Sequence, residues 1–323
     1  MTGIRDLKVL VTGATGFLGT KLTTKLSSQG ARVFPVSRSL GYDLREKAEA
    51  YRAFLESRPD VAVHLAARVG GIGANAENPD IFFAENMRIG MNVVDAAASA
   101  GARLIAISTV CAYPKHCPVP FREEDLWNGY PEETNAPYGV AKRSLLVMCA
   151  AYRVRRGLKY GYLVPCNLYG PGDNFDPASS HVIPALIRRL SEAREAGRKS
   201  VTLWGTGKAT RSFLYVDDAT DAISRAAAGL DYDGAINLPG CEEITVENLA
   251  SMIASLVGFR GALFWDPTKP DGQPRRAIDG SRAREILSWT PAIGLEEGLK
   301  RTVEWWLSKG NLLATAEPAK GML

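Results

Sequence analysis

Tyr138 and Lys142 stand four residues apart, so any helix that carries them presents a phenol and an ammonium on one face. The ammonium favours the phenolate, drawing a group whose ordinary pKa is about 10 towards acid–base work at neutral pH. A tyrosine and a lysine at this spacing are common by accident. Their company is not, because a hydroxyl residue, Thr109, precedes them at the end of an apolar run, and Gly13, Gly16 and Gly19 open the chain. In those glycines an apolar run rich in β-branched residues, Val9 to Val11, gives way to a segment with Leu22 and Leu26 at helical spacing. A glycine turn between a strand and a helix lets backbone approach a pyrophosphate, and the free N–H groups of the helix start attract its charge. The residues Gly13, Thr15, Gly16, Phe17, Leu18 and Gly19 therefore predict a dinucleotide cradle.

The kind of dinucleotide is written at the end of the next strand, Ala31 to Val36. An NAD site places a carboxylate there for the ribose 2′-hydroxyl, whereas an arginine suits a 2′-phosphate. Arg38 holds the place, which favours NADP over the alternative of a solvated surface arginine. Asp43 and Leu44 follow, near the expected adenine, and open a polar helical stretch to about Ser57. Val61 to Ala67 is a further buried strand whose small exit residue, Ala66, permits close backbone approach.

These groups need elements to position them. Arg68 to Gly73 is glycine-rich, predicting an irregular loop over the site. Pro79 to Ala100 reads as a long helix with Phe82, Asn86, Ile89, Val93 and Ala97 near one face. Leu104 to Ser108 is a strand that delivers Thr109, Val110, Cys111 and Tyr113 at its C-terminal end, where open α/β sheets bind ligands. Pro114 to Pro137 is a long loop and a candidate substrate flap. The expectation is a Rossmann-type doubly wound parallel sheet with a smaller α/β substrate-binding lobe. The first domain takes residues 1–168 plus about 212–240, the second about 169–211 plus 241–310, and 311–323 form a loose tail.

Composition narrows the classes. Across 323 residues, 46% hydrophobic and 23% charged content is that of a globular chain, not a disordered one. A net charge of +4 with scattered basic residues makes no case for nucleic acid. No apolar run reaches the roughly 18 residues of a membrane span, and the N-terminus lacks a signal-peptide core, so the cytoplasm is expected. Five cysteines without paired spacing predict free thiols, and three histidines without a cluster predict no catalytic metal. Hard chemistry then rests on a bound cofactor.

Longer strings carry a resemblance: AARVGGIGAN (Ala66 to Asn75), CAYPK (Cys111 to Lys115), NLYGPGDNFDPASSHVIPALIRR (Asn167 to Arg189), WGTGKATRSFLYVDD (Trp204 to Asp218) and KPDGQPRR (Lys269 to Arg276). From about residue 7 to 305 the chain resembles the extended short-chain dehydrogenase/reductases and, within them, the GDP-4-keto-6-deoxy-mannose epimerase/reductases. That resemblance implies an NADPH-dependent enzyme acting on a GDP-linked 4-keto sugar, with Cys111 and His181 as the acid/base pair that inverts C3 and C5. It gives Tyr138 the proton for O4, Lys142 the nicotinamide ribose and Thr109 the carbonyl oxygen. His181 also lies in the cofactor set. Asn167, Arg189, Trp204, Arg211, Lys269 and Arg275 fall where sugar-nucleotide contacts are implied, although Trp204 reads equally as a core aromatic. Thr109 stands where the family usually shows serine, a change that keeps the hydroxyl.

The resemblance further implies a homodimer through the helices of residues 79–100 and of Tyr138, with Ile89, Val93, Leu145 and Met148 facing either the partner or the subunit's own interior. A 4,6-dehydratase is disfavoured because Val110 and Cys111 follow Thr109 in place of acidic residues. Two alternatives stay open: the same chemistry, or simple 4-reduction, on another nucleotide-linked 4-keto sugar such as a GDP-heptose, and a non-catalytic NADP-binding sensor.

Overall fold

The computed structural model describes residues 3–177, 179–269 and 271–313, without the side chains of Ile72 and residues 309–313. Ala178 and Pro270, inside two of the strings above, and residues 314–323 of the expected tail lie outside the described residues.

Strands and helices alternate through the first half: β1 (Lys8–Thr12), α1 (Phe17–Ser28), β2 (Arg32–Val36), α2 (Lys47–Ser57), β3 (Val61–His64), α3 (Ile72–Glu77), α4 (Pro79–Ala100), β4 (Arg103–Ile107), α5 (Ala136–Arg156) and β5 (Tyr160–Pro165). The second half runs β6 (Asn167–Tyr169), α6 (Val182–Glu195), β7 (Ser200–Trp204), β8 (Thr210–Tyr215), α7 (Val216–Gly229), β9 (Ala235–Leu238), β10 (Glu243–Thr245), α8 (Val246–Val257), β11 (Ala262–Asp266), β12 (Arg275–Arg276), α9 (Ser281–Leu287) and α10 (Leu295–Leu313).

The large sheet has the order β2-β1-β3-β4-β5-β9, all parallel. Its strands read as continuous apolar runs because helices cover both faces: α2, α4 and α5 pack in a row, and α1 packs against α7. Val9, Leu10 and Val11 are wholly buried, each stabilising the fold by roughly 1.5–3 kcal/mol. The chain runs from β1 out to β2 and then returns past β1 to β3, so the topological switch point lies between β1 and β3. Everything bound at the sheet should gather at that end.

After β5 the chain builds a second hydrophobic cluster from α6, α8, α10 and short strands, centred on Ile187, Leu190, Leu249, Ile253 and Leu299. There β8 pairs with β6, β10 and β12, while β7 and β11 form a separate parallel pair. α7 and β9 then go back to the first cluster.

Some expectations give way. The glycine-rich stretch is irregular only as far as Gly71, and α3 begins at Ile72. Two asparagines hold this loop: Asn86 Nδ2 donates to the Arg68 carbonyl at 3.0 Å, and Asn75 Nδ2 to the Gly70 carbonyl at 2.9 Å. The polar helix starts at Lys47 rather than Asp43. The expected flap is no free segment, because Phe121 and Leu126 are buried in the core, Glu123 Oε1 accepts the Asn237 N–H, and Phe121 N–H donates to the Ala277 carbonyl. α10 continues to Leu313, past the expected start of the tail. Val93 and Leu145 are buried inside the subunit, with Ile89 and Met148 packed against the same core; Ile81, Phe83, Met91, Val147 and Val154 are the exposed large apolar residues of α4 and α5.

Candidate active site

The cradle at the end of β1 is made by glycines that have no room for a side chain. Gly13 has φ of +70°, and a Cβ there would lie 2.9 Å from Ala66 N; one on Gly19 would lie 2.0 Å from the Gly13 carbonyl oxygen. Ala66 thus sits directly beside the turn. α1 begins at Phe17 with neither a side-chain cap nor an acidic residue in its first turn, leaving its N–H groups and dipole to an anion. Thr15 Oγ1 bonds Ser39 Oγ at 3.1 Å, which in turn bonds Ser37 Oγ at 3.0 Å, so hydroxyls link the turn to the segment of Arg38. Arg38 is exposed and opens a short 3-10 turn at the rim. This cradle fits a dinucleotide diphosphate with a 2′-phosphate near Arg38. Asp43 is engaged elsewhere, with Arg45 Nη2 at 2.5 Å and Nε at 2.9 Å, and Leu44 is a core residue.

Close approach also places the reactive hydroxyls. Gly139 lies so near the turn after β4 that a Cβ on it would come within 2.3 Å of the Cys111 carbonyl oxygen. That contact brings Tyr138 beside Thr109, whose hydroxyl favours the phenolate. The Tyr162 hydroxyl bonds both Ser108 Oγ (2.6 Å) and the Lys142 carbonyl (2.7 Å), fixing α5 to the ends of β4 and β5. Burial, then the nearby Cys111, push the Tyr138 phenol above its ordinary range, and the Thr109 hydroxyl opposes them. The sequence argument made Lys142 the group that lowers Tyr138. In the structure Lys142 makes no such contribution; it is itself buried, which pulls its ammonium down to about 8. Its Nζ has no hydrogen-bond or ion-pair partner among the described residues.

Beneath Lys142 is a histidine that the pattern reading passed over. Thr12 Oγ1 accepts the Leu65 and Ala66 N–H groups, each at 3.1 Å, and lies 2.9 Å from His64 Nδ1. With both acceptor positions of the hydroxyl used, its hydrogen goes to Nδ1, and the network assigns His64 as the neutral Nε2–H tautomer. Burial first and the Lys142 charge second hold it well below the usual imidazole range. Its signal in the sequence was a polar residue inside the apolar VAVHLAA run.

Cys111 and His181 enter from different directions. Cys111 is partly exposed in the turn after β4, where its N–H donates to Thr109 Oγ1 at 3.2 Å. His181 is the residue before α6. The Gly71 N–H donates to the Ser179 carbonyl at 3.2 Å, so the glycine-rich loop packs against the segment leading into His181. Solvent reaches His181, yet protein crowds it enough for desolvation to lower its imidazole. That combination describes the wall of a cleft.

The arginines sort differently from their sequence assignment. β12 pairs with β8 so that Arg275 faces Thr210 and Arg276 faces Arg211 in register. Successive strand residues point to opposite faces. Arg275 is bound bidentately by Glu243 at 2.7 and 2.8 Å, while Arg276 Nη1 lies 3.7 Å from Cys111 Sγ. Arg276, which the sequence reading passed over, therefore faces the reactive residues, and Arg275 does not. Arg211 donates to the Thr210 and Asp271 carbonyls at 2.8 and 3.0 Å, and burial followed by the Arg276 charge brings it down to about 10. Arg189 donates to the Thr202 carbonyl at 2.7 Å. Lys269 Nζ stands 5.7 Å from the ring centre of Trp204, whose 66% exposure rules out the core reading. Asp271, also missed, caps the turn by accepting from Thr206 N and Oγ1 at 2.7 and 2.6 Å. Asn167 begins β6, half-buried beside Phe213 of β8.

Among the described residues no group of three His, Cys, Asp or Glu side chains could hold a metal, and no helix is long and apolar enough to cross a membrane.

Residues 9–238 match the NAD dependent epimerase/dehydratase family. The chain is similar to GDP-L-fucose synthase 1 of Arabidopsis thaliana, 38% identical over 307 residues that cover 94% of either chain. A GDP-L-fucose synthetase of Naegleria fowleri bound to NADP superposes with a TM-score of 0.87 at 26% identity, over 98% of both chains. A GDP-6-OMe-4-keto-L-xylo-heptose reductase from C. jejuni gives the same TM-score at 27% identity, over 94% of this chain and 98% of its own. This chain belongs to the NAD dependent epimerase/dehydratase family and, within it, to the group of the GDP-L-fucose synthases.

Proposed function

We propose that this protein is an NADPH-dependent 3,5-epimerase and 4-reductase that converts a GDP-linked 4-keto-6-deoxy sugar to GDP-L-fucose. One observation carries the reading: the Thr109 and Tyr138 hydroxyls and the Cys111 thiol converge at the end of β4, where Gly139 of α5 meets the Cys111 backbone. A reductase alone needs only the hydroxyl pair; the thiol adds a second proton-transfer group.

The C4 carbonyl of such a sugar acidifies the C–H bonds at C3 and C5. Cys111 takes a proton, the C–H electron pair moving onto the carbonyl oxygen as an enolate, which Thr109 and Tyr138 stabilise by hydrogen bonding. His181 returns a proton to the opposite face and so inverts the centre. Desolvation keeps His181 neutral in the free protein, and the anionic diphosphate of the substrate opposes that by favouring the imidazolium. Bound NADPH supplies the hydride for C4. Tyr138 gives its proton to O4, and Lys142, whose Nζ is without a partner among the described residues, holds the nicotinamide ribose. Arg189, Arg211, Trp204 and Lys269 surround the sugar nucleotide.

The lobe of α6, α8 and α10 binds the sugar nucleotide, and the large sheet binds the cofactor. Phe83, Met91, Val147 and Val154 supply the face of a homodimer, and the enzyme works in the cytoplasm. In D2O, with substrate and NADPH, solvent deuterium should enter C3 and C5 while cofactor is consumed. Clean reduction without exchange would leave a simple 4-ketoreductase, the reading that the heptose reductase favours; a panel of GDP-linked 4-keto hexoses and heptoses decides between them. Binding of NADPH with neither exchange nor reduction would leave the sensor.

A further inference from the structure

The thiol proposed as the epimerisation base has a cation aimed at it. Arg276 Nη1 approaches Cys111 Sγ at 3.7 Å. A neutral thiol is a weak acceptor, whereas a thiolate is a good one, so an N–H directed at sulfur suits the anion. The guanidinium is not there by chance of a flexible side chain. Gln273 is buried, and its Nε2 donates to the Lys115 carbonyl at 2.8 Å, which turns its Oε1 towards Arg276 Nε at 2.9 Å. Lys115 and Cys111 belong to one short segment after β4. The amide thus spans from that segment to the arginine and fixes the angle at which Arg276 meets the sulfur.

Among the described residues, the charged and titratable groups set against Cys111 include Tyr138 from α5, Arg211 from β8 and Arg276 from β12. Both nitrogens with which Arg211 bonds are given to backbone carbonyls, and it makes no hydrogen bond to the sulfur. Tyr138 is an acid in the reduction. Arg276 is the remaining group able to compensate a negative sulfur directly.

We propose that Arg276, aimed by Gln273, is a positioning residue for epimerisation: it directs an N–H at Cys111 Sγ, compensates the negative sulfur that withdraws the sugar proton, and stays hydrogen-bonded to the sulfur once the S–H bond has formed. This rests on the reading of Cys111 as the base. In the step the C–H bond breaks, its electron pair passes to the enolate, and the proton goes to sulfur; Arg276 itself gains and loses no proton. The arginine therefore acts on the thiol and not on the hydride transfer.

The test is the rate at which iodoacetamide alkylates Cys111 at pH 7.5 in the NADPH-bound enzyme, resolved from the other four cysteines by peptide mass spectrometry, since the thiolate is the nucleophile. Deuterium wash-in at C3 and C5 is measured alongside. Arg276→Met should slow both by tenfold or more, and Arg276→Lys should restore most of the loss, which repair of packing alone would not do. Gln273→Leu keeps the charge but frees it, and should give a smaller loss of both; it also serves if Arg276→Met does not fold. Alkylation of Cys111 at the wild-type rate in folded Arg276→Met, or in Gln273→Leu if that is the variant that folds, would overturn the proposal. Wild-type wash-in by Cys111→Ser would instead remove Cys111 as the base, a separate failure.

Discussion

Gly139 presses its Cα against the Cys111 backbone so closely that a methyl group there would stand 2.3 Å from the carbonyl oxygen. This contact is between backbones, so no side chain can swing away to relieve it. Gly139→Ala should shift α5 and separate Tyr138 from Thr109, destabilising the protein by about 1–3 kcal/mol, the cost of overpacking. Gly229→Ala, in a helix with open space around it, is the control. Equal melting temperatures and turnover in the two variants would show that the approach is not needed.

Tyr138 is held protonated through the neutral range by burial, as an acid for O4 must be. Tyr138→Phe should lower the rate of reduction by about 10²–10⁴-fold, the usual worth of a general acid, and leave NADPH binding intact. Fluorescence titration of NADPH and a single-turnover hydride-transfer measurement separate the two. Unchanged turnover would exclude Tyr138 from the chemistry.

Lys142 is a buried cation whose folded-state value, about 8, is below that of the unfolded chain. Between about pH 8 and 10.4 the unfolded state binds more protons, so this group's contribution to stability rises with pH across that window and its penalty is complete below it. Lys142→Met should therefore raise the stability of the cofactor-free protein at pH 7 by up to about 3 kcal/mol, from a shift of roughly 2.5 units, while abolishing reduction. Denaturant titration at pH 7 and pH 10 checks the sign: a gain that is larger at pH 10 would contradict it.

Thr12 satisfies two backbone N–H groups and His64 at once. Thr12→Val keeps the volume and removes all three bonds; the Leu65 N–H retains the Thr12 carbonyl at 3.3 Å, so the Ala66 N–H and His64 Nδ1 are the groups left without a partner, at about 1–3 kcal/mol each. A loss on the order of 2–4 kcal/mol is expected, read from urea unfolding. A loss of a few tenths would mean that the hydroxyl network does not hold the β1–β3 crevice.

On the proposed assignment of Arg38 to the cofactor's 2′-phosphate, Arg38→Asp puts like charge beside that group. The Michaelis constant for NADPH should rise by roughly 10- to 100-fold, in line with a lost charge-assisted hydrogen bond, and that for NADH should change far less. Parallel rises for both cofactors would move the 2′-phosphate away from Arg38.

The chain by itself determined its alternation of buried strands and helices, because apolar runs and glycine turns are local signals that survive without neighbours. The long helix read at Pro79 to Ala100 is the one the structure shows. Three things were decided only in three dimensions. The order of the sheet placed β9, distant in sequence, beside β5 and put the switch point next to Gly13 and Ala66. The two-residue period of β12 selected Arg276 over Arg275, a choice invisible in the string Lys269 to Arg276, since the strand exists only by pairing with β8. Burial set the charges: an i,i+4 spacing put Lys142 on the face of Tyr138, but desolvation, which depends on everything packed around a group, raised the phenol and lowered the ammonium. Spacing names the residues that can meet; only the packed structure fixes the faces they turn to each other and the protons they hold.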